Sequence, residues 1–294
     1  YNMQSLIGTG VALVTPFKKD FSVDIDALKA IVNFQIDNGI DYLVVLGTTA
    51  ENATLSKAEK ELVIKTIVDA NKGRLPLVSG VGSNNTAEVI EELKSGNFSD
   101  FVAILSVSPY YNKPIQKGIV AHYKIVADST DLPIILYNVP GRTGSNVSPE
   151  TTLELAEVKN IVAVKEASGN MEQIMQIIKY RPSGFGVLSG DDNLTMPLIA
   201  AGADGVISVV ANAFPALFSS MVHAAMRGEL DAAREAHYKL FDVTKMFFEQ
   251  GNPGGVKAAL AHMELMDEFM RLPLFPVSDE LRKRIENETT AILG

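Results

Sequence analysis

Eight short apolar runs, separated by longer stretches with helical periodicity, limit what this chain of 294 residues can fold into. Such alternation is typical of repeated β/α units around a parallel sheet. We predict strands at residues 10–15, 42–46, 77–79, 101–106, 134–137, 162–165, 186–189 and 205–208. Because eight is the strand number of a (β/α)₈ barrel, the sequence predicts an α/β protein with this TIM-barrel architecture.

Capping residues mark where several of the intervening helices begin. Asp24 precedes an amphipathic pattern, Ser56 and Glu59 have the spacing of a capping box, and Ser148 stands before a proline. These signals place helices between the predicted strands, as a barrel requires.

The C-terminal part of the chain has a different pattern. Strand-like runs stop after residue 212, and residues 232–248 and 256–268 have apolar faces at helical spacing. We predict two units: a catalytic barrel over residues 1–212 and a helical extension over residues 213–294, packed on the barrel.

An open, doubly wound sheet is the main rival fold. Its dinucleotide-binding loop needs three glycines, and residues 80–85 read Gly-Val-Gly-Ser-Asn-Asn, without the third. The sequence therefore favours the barrel.

Composition excludes several classes of function. The formal net charge of −9, without a run of Lys and Arg, argues against nucleic acid as a partner. The chain has no cysteine, which excludes disulfides and thiolate chemistry and fits a cytoplasmic protein. We expect no membrane partner, because no apolar segment reaches the ~20 residues that a spanning helix needs. The apolar residues 6–14 follow no basic region, and we interpret them as the first strand.

The active site of a (β/α)₈ barrel lies at the C-terminal ends of its strands. Polar residues at those ends are therefore candidates for chemistry, and we expect them all to face one mouth. They are Thr48, Thr49, Tyr110, Tyr111, Tyr137, Lys165 and Asp191.

Lys165 ends a strand that should be buried on both faces. An ordinary lysine, with a pKa of about 10.4, is neutral in only about one molecule in a few thousand at pH 7, so nucleophilic amines need desolvation. A barrel interior supplies desolvation. The alternative reading is a lysine that reaches the rim or pairs with Glu166.

Three further positions have a functional and a structural reading. Tyr137 ends the strand beside Lys165 and is suited to shuttling a proton, or it is a core tyrosine. Thr48 and Thr49 offer hydroxyls to a small carboxylate, or they cap a helix. Arg142 is suited to gripping a second carboxylate, or it is a solvated surface residue.

We predict no metal and no other cofactor. The four histidines, at positions 122, 223, 237 and 262, lack ligand spacing, and Asp191 with Asp192 is only an acidic pair. Residues 209–212 supply no glycine-rich phosphate cradle, which disfavours phosphorylated substrates.

Taken together, six ordered motifs resemble the dihydrodipicolinate synthase and N-acetylneuraminate lyase superfamily of pyruvate aldolases, over nearly the whole chain. They are GTTAE at residues 47–51, SPYYNKP at 108–114, YNVPGRTG at 137–144, VKEASG at 164–169, SGDD at 189–192 and GVISV at 205–209.

The resemblance implies a role for each matching site residue. Lys165 would form a Schiff base with pyruvate, and Thr48, Tyr137 and Tyr111 would form a proton relay, with Tyr111 coming from a neighbouring subunit. The residues implied to bind substrate are Thr49, Arg142, Gly190 and Ile207. The relay implies an oligomer, which we expect to be a homotetramer of tight dimers.

Arg142 in YNVPGRTG resembles the arginine that binds aspartate semialdehyde in the synthase branch. The activity implied is that of a lyase: condensation of pyruvate with L-aspartate 4-semialdehyde to 4-hydroxy-tetrahydrodipicolinate, in diaminopimelate and lysine biosynthesis. Two alternatives stay open. One is an N-acetylneuraminate lyase or related 2-keto acid aldolase or dehydratase, and the other is a non-catalytic barrel that binds keto acids.

The sequence departs from the usual GTTGES at Ala50 and Asn52, beside the two threonines, and we expect catalysis to survive both changes. By resemblance, the residues of a regulatory lysine site are Asn84, Glu88 and Tyr110. Lys57 and Lys60 replace the histidines of lysine-sensitive relatives, and their two positive charges should disfavour a cationic effector.

Overall fold

The computed structural model describes residues 3–294, so Tyr1 and Asn2 of the predicted first unit lie outside the described residues. Within this range eight parallel strands form a closed barrel, in which each strand pairs with the next and β8 pairs with β1. The strands are β1 Gly8–Ala12, β2 Tyr42–Val45, β3 Leu77–Gly80, β4 Ala103–Val107, β5 Ile134–Asn138, β6 Ile161–Glu166, β7 Gly186–Ser189 and β8 Gly205–Ser208. The predicted barrel is confirmed, and the open sheet is excluded.

Every predicted strand is present, and β1 shows the largest displacement. The prediction was residues 10–15, whereas β1 ends at Ala12. Beyond that point the amide of Val14 donates to the side chain of Asn212 at 3.2 Å instead of to a neighbouring strand. A long-range side-chain contact thus ends the strand.

Helices cover the outside of the barrel and the C-terminal region. They are α1 Ile25–Asp37, α2 Lys57–Asn71, α3 Thr86–Ser95, α4 Gln116–Asp128, α5 Pro140–Thr143, α6 Pro149–Leu155, α7 Met171–Tyr180, α8 Thr195–Ala200, α9 Pro215–Met226, α10 Leu230–Phe248, α11 Gly254–His262 and α12 Asp279–Leu293. The predicted caps at Asp24, Ser56 and Ser148 are confirmed, and Ser56 and Glu59 make both bonds of a capping box.

The barrel interior is filled by side chains, as in other barrels of this size. Tyr42 is fully buried there, and its hydroxyl donates to the carbonyl of Val206 at 3.3 Å. A Cβ at Gly10 would lie 2.3 Å from the Tyr42 ring, so only glycine leaves room for it. At this level the interior is therefore a packed core.

The C-terminal helices share a hydrophobic core with the barrel. One cluster includes Val11 of β1, Leu43 of β2, Phe247 of α10 and Ile285 of α12. Helix α11 ends at His262, earlier than the predicted residue 268. The division into two units at residue 212 stays a prediction.

None of the helices within residues 3–294 combines the length and apolarity needed to cross a bilayer.

Candidate active site

Lys165 and Tyr137 lie side by side at the ends of β6 and β5, where they are register partners. Their exposed fractions are 5% and 7%. The Nζ of Lys165 lies 4.1 Å from the centre of the Tyr137 ring. Because neighbours in register on parallel strands point to the same face, the two side chains share one space inside the barrel.

Glu166 has its partners on the other face of β6. This buried carboxylate accepts hydrogen bonds from Asn138 at 3.0 Å, from Gln173 at 3.2 Å and from the amide of Ser168 at 3.3 Å. Burial raises its pKa, and these bonds act in the opposite direction. Among the residues described, Lys165 makes no ion pair with Glu166, and it does not extend to the rim.

A cavity of about 170 Å³ opens above Lys165 at the C-terminal ends of the strands. It is smaller than the ~300–1,000 Å³ typical of drug-sized ligand sites, which suits a small acid. Seven predicted residues line it together: Thr48, Thr49, Tyr137, Arg142, Lys165, Gly190 and Asp191.

Thr48 and Thr49 belong to a tight turn after β2. Thr48 is exposed, whereas Thr49 is buried and its Oγ1 accepts a hydrogen bond from the Nδ2 of Asn252 at 2.9 Å. The departures from GTTGES lie within or next to this turn. Ala50 is buried, and the Nδ2 of Asn52 donates to the carbonyl of Leu46 at 2.7 Å, which closes the turn.

Two acidic residues follow β7. Asp191 lines the cavity, and its pKa is raised by burial, against the amide of Gly169 and the positive charge of Lys165. Asp192 accepts hydrogen bonds from the amides of Val209 and Val210, both at 3.1 Å. Burial raises the pKa of Asp192 to about 6. Asp192 therefore fixes the chain after β8, and Asp191 is the carboxylate that faces the cavity.

Gly190 packs tightly against the lysine. A Cβ at this position would lie 2.7 Å from the Cβ of Ala167 and 3.1 Å from the Cε of Lys165. The absence of a side chain at Gly190 therefore keeps the path to Lys165 open.

Tyr110, Tyr111 and Ile207 were also predicted, but they lie outside the lining of this cavity in the described chain, so not all of the polar candidates face it. Tyr111 is 86% exposed, and its amide donates to the carbonyl of Thr143 at 2.9 Å, which ties its loop to that of Arg142. Ile207 is buried in the barrel interior and belongs to the same hydrophobic cluster as Tyr137. The roles assigned to Tyr111 and Ile207 stay predictions.

The predicted regulatory residues are only partly brought together. Glu88 lines a groove of about 740 Å³ between α2 and α3, together with Lys57 and Lys60. Within residues 3–294, Asn84 and Tyr110 are not part of that lining. The regulatory site therefore stays a prediction.

The cavity also contains residues that the sequence prediction missed. Phe248 reaches it from the end of α10, Asn252 from the segment between α10 and α11, and Val139 from the loop after β5. The Asn-Pro pair at residues 252–253 is a loop signal between two helices, but nothing in it indicates contact with the barrel mouth. Within the part of the chain that the structure describes, no three His, Cys, Asp or Glu side chains are grouped as metal ligands would be.

A closed (β/α)₈ barrel with a buried lysine at its mouth is the arrangement expected of a pyruvate aldolase that forms a Schiff base. The family model described as "Dihydrodipicolinate synthetase family" matches residues 5–292. The chain belongs to this family.

Individual relatives agree with that assignment. A 4-hydroxy-tetrahydrodipicolinate synthase from Flavobacterium psychrophilum is 58% identical, over 97% of each chain. The crystal structure of dihydrodipicolinate synthase from Thermotoga maritima has a TM-score of 0.95 at 39% identity, covering 97% of this chain and 98% of that one. A chloride-inhibited dihydrodipicolinate synthase from Acinetobacter baumannii, solved with pyruvate, has a TM-score of 0.94 at 40% identity, with the same coverage.

Proposed function

We propose that this protein condenses pyruvate with L-aspartate 4-semialdehyde through a Schiff base on Lys165, giving 4-hydroxy-tetrahydrodipicolinate for diaminopimelate and lysine biosynthesis. The observation that carries the proposal is the buried amine of Lys165, 4.1 Å from the ring of Tyr137 in a small cavity that also contains Arg142. The names of the relatives support the same reaction, and the pyruvate complex of one of them supports the first substrate.

The first half of the reaction uses the lysine as nucleophile. The amine of Lys165 attacks the keto carbon of pyruvate, and loss of one water gives the imine. The protonated imine withdraws electrons from the neighbouring methyl carbon, so a proton leaves that carbon and an enamine forms. The electron sink is the imine itself, and no metal or organic cofactor enters the scheme.

The second half forms the carbon–carbon bond and releases the enzyme. The enamine carbon attacks the aldehyde carbon of the second substrate, whose oxygen takes up a proton. The amine of that substrate then attacks the imine carbon, which closes a six-membered ring and expels Lys165. Arg142 is the group suited to holding the carboxylate of the semialdehyde, because a guanidinium grips a carboxylate with two parallel hydrogen bonds.

Protons move through Tyr137, Thr48 and Tyr111 in this scheme, and the protein acts as a homotetramer of tight dimers in the cytoplasm. The 86% exposed side chain of Tyr111 supports its entry into the site of a neighbouring subunit.

Mixing the variants K165A and Y111A tests whether Tyr111 acts in the site of the neighbouring subunit. A mixed dimer contains one site with both native residues, so activity should reappear on mixing. Continued inactivity of the mixture would place Tyr111 in the site of its own subunit, and a fully active Y111A protein would place it outside the relay.

Substrate choice separates this function from the lyase or dehydratase alternative. Replacement of Arg142 by Ala should lower kcat/KM for aspartate semialdehyde about 10- to 100-fold, since a charge-assisted bidentate contact is lost. A sialic acid or other polyol substrate would be affected less. Turnover of such a substrate by the wild-type protein, without turnover of aspartate semialdehyde, would overturn the synthase assignment.

The Schiff base itself is tested by borohydride reduction in the presence of pyruvate, followed by mass spectrometry. We expect one adduct per chain, confined to Lys165, and none in K165A. An adduct without turnover would indicate another aldolase. Absence of an adduct in the wild-type protein would refute the mechanism and favour a barrel that only binds keto acids.

A further inference from the structure

Asn252 connects the C-terminal helices to the active site. It lies in the short segment between α10 and α11, outside the barrel strands, yet only 7% of it is exposed and it lines the cavity. Its Nδ2 donates to the Oγ1 of Thr49 at 2.9 Å, across 203 positions of sequence. The C-terminal segment therefore acts directly on the turn that carries Thr48 and Thr49.

This bond decides where the hydroxyl proton of Thr49 points. A threonine hydroxyl has one proton to donate and lone pairs with which to accept. Because Oγ1 accepts from Asn252, its proton needs another acceptor, and the described residues supply none. The remaining direction is the cavity, where the amine of Lys165 lies. A carboxylate bound there would receive the proton in a charge-assisted hydrogen bond.

A second contact between the same two segments holds this geometry. Glu51 follows Thr49 by two residues, and its carboxylate forms an ion pair of 2.5 Å with Lys257, five residues after Asn252. The exposed fractions of the two side chains are 1% and 0%. Lys257 also donates to the carbonyl of Phe269 at 2.9 Å, which fixes it within the C-terminal region. The turn and the C-terminal segment are thus joined at two points.

We propose that Asn252 is a positioning residue for the keto acid: it orients the hydroxyl of Thr49 so that its proton is donated to the substrate carboxylate. The proposal rests on the proposed function, because it takes the ligand of the cavity to be a 2-keto acid that forms an imine with Lys165. The C-terminal extension thereby completes the carboxylate site.

The test measures how the extent of borohydride trapping on Lys165 depends on pyruvate concentration. In N252A the half-saturating concentration should rise about tenfold, while trapping at saturating pyruvate stays complete because Lys165 is intact. N252D is the sharper variant. An aspartate carboxylate has nearly the shape of the asparagine amide but only accepts, so it would take the proton of Thr49 and repel the substrate carboxylate. Its half-saturating concentration should exceed that of N252A.

Gln250 supplies a matched control two residues away. It is exposed, and its side chain makes two hydrogen bonds to Ser278, at 3.0 and 2.9 Å, at the start of α12. Q250A therefore perturbs the same loop without touching the cavity, and its half-saturating concentration should match the wild type. Thermal midpoints of both variants show whether the loss in N252A exceeds a general loosening of the segment.

The double variant N252A/T49V separates positioning from a merely structural role. If Asn252 acts through Thr49, the double variant should bind pyruvate as weakly as T49V alone, whereas independent effects would multiply. Multiplied effects, an N252A protein that saturates like the wild type, or an N252D protein that does so would each overturn the inference. If N252A does not fold, the comparison of N252D with the wild type decides. Failure of the proposed function looks different, because the wild-type protein would then trap no pyruvate at any concentration.

Discussion

The buried ion pair between Lys257 and Glu51 makes a strong prediction about stability. Both side chains are out of contact with solvent, at 0% and 1% exposure. Burial lowers the pKa of Lys257, and the charge of Glu51 acts in the opposite direction. Replacing Lys257 by Met keeps an unbranched side chain of similar length, so little packing is lost. What remains is a buried carboxylate without its direct ion-pair partner, on which only the amide of Arg271 at 3.4 Å and the charge of that residue still act.

The size of the effect follows from the loss of that direct partner. Removing one partner of a buried ion pair costs about 3–5 kcal/mol. In a protein of this size, each kcal/mol corresponds to a change in Tm of about 3 °C. K257M should therefore unfold about 12 °C below the wild type. Restoring neutrality in E51Q/K257M should bring the free energy of unfolding back to within about 1 kcal/mol of the wild type.

A thermal unfolding series measures this, with K65M as the matched control. Lys65 also forms a direct ion pair, with Asp69 at 2.8 Å, but these two side chains are 73% and 58% exposed. Exposed pairs contribute at most about 1 kcal/mol, so K65M should barely change Tm. Equal losses in K257M and K65M, or a double variant as unstable as K257M, would refute the reasoning about burial.

Three further predictions concern pH and the site. Burial lowers the pKa of His122 to about 4, so as pH falls this histidine is protonated in the unfolded protein before it is protonated in the folded protein. The free energy of unfolding of the wild type should therefore fall by about 3 kcal/mol relative to that of H122Q between pH 7 and pH 4. Urea unfolding at the two pH values measures this. Asp192 has the opposite sign, because burial raises its pKa from 3.8 to about 6. The wild type therefore loses stability as pH rises from 4 to 7, and D192N should gain about 2 kcal/mol relative to it. A constant difference between the two proteins would contradict this. In G190A, the added methyl group would crowd the Cε of Lys165, so the rate of imine trapping should fall at least about tenfold. An unchanged trapping rate would show that the lysine has room to move aside.

Elements encoded by local pattern were predictable. The eight strands follow from short apolar runs, and the caps at Asp24 and Ser56 follow from side chains that bond to amides three residues away. The end of β1 was harder to predict from the sequence, because the amide of Val14 bonds to the side chain of Asn212, which lies 198 positions away. Propensity and periodicity carry no information about such a partner.

The residues of the candidate site that end or follow strands were predictable, because the topology of the barrel brings them together. Once Lys165 and Tyr137 are recognised as ends of consecutive strands in a parallel barrel, their proximity follows from the topology. Thr48 and Arg142 likewise follow strands, and the cavity includes both. Tyr111 is different, because its proposed role depends on a second subunit.

The sequence by itself determined the barrel, the strand ends that face its mouth, and the lysine on which the proposed chemistry rests. Only the tertiary structure decided which residues complete the mouth from elsewhere. Asn252 contacts Thr49, and Lys257 contacts Glu51, because α10 and α11 dock against the barrel at one particular place. That placement depends on the packing of one core shared by residues more than 200 positions apart in the sequence. A local pattern of apolar residues indicates which face of a helix is buried, but not which partner it packs against.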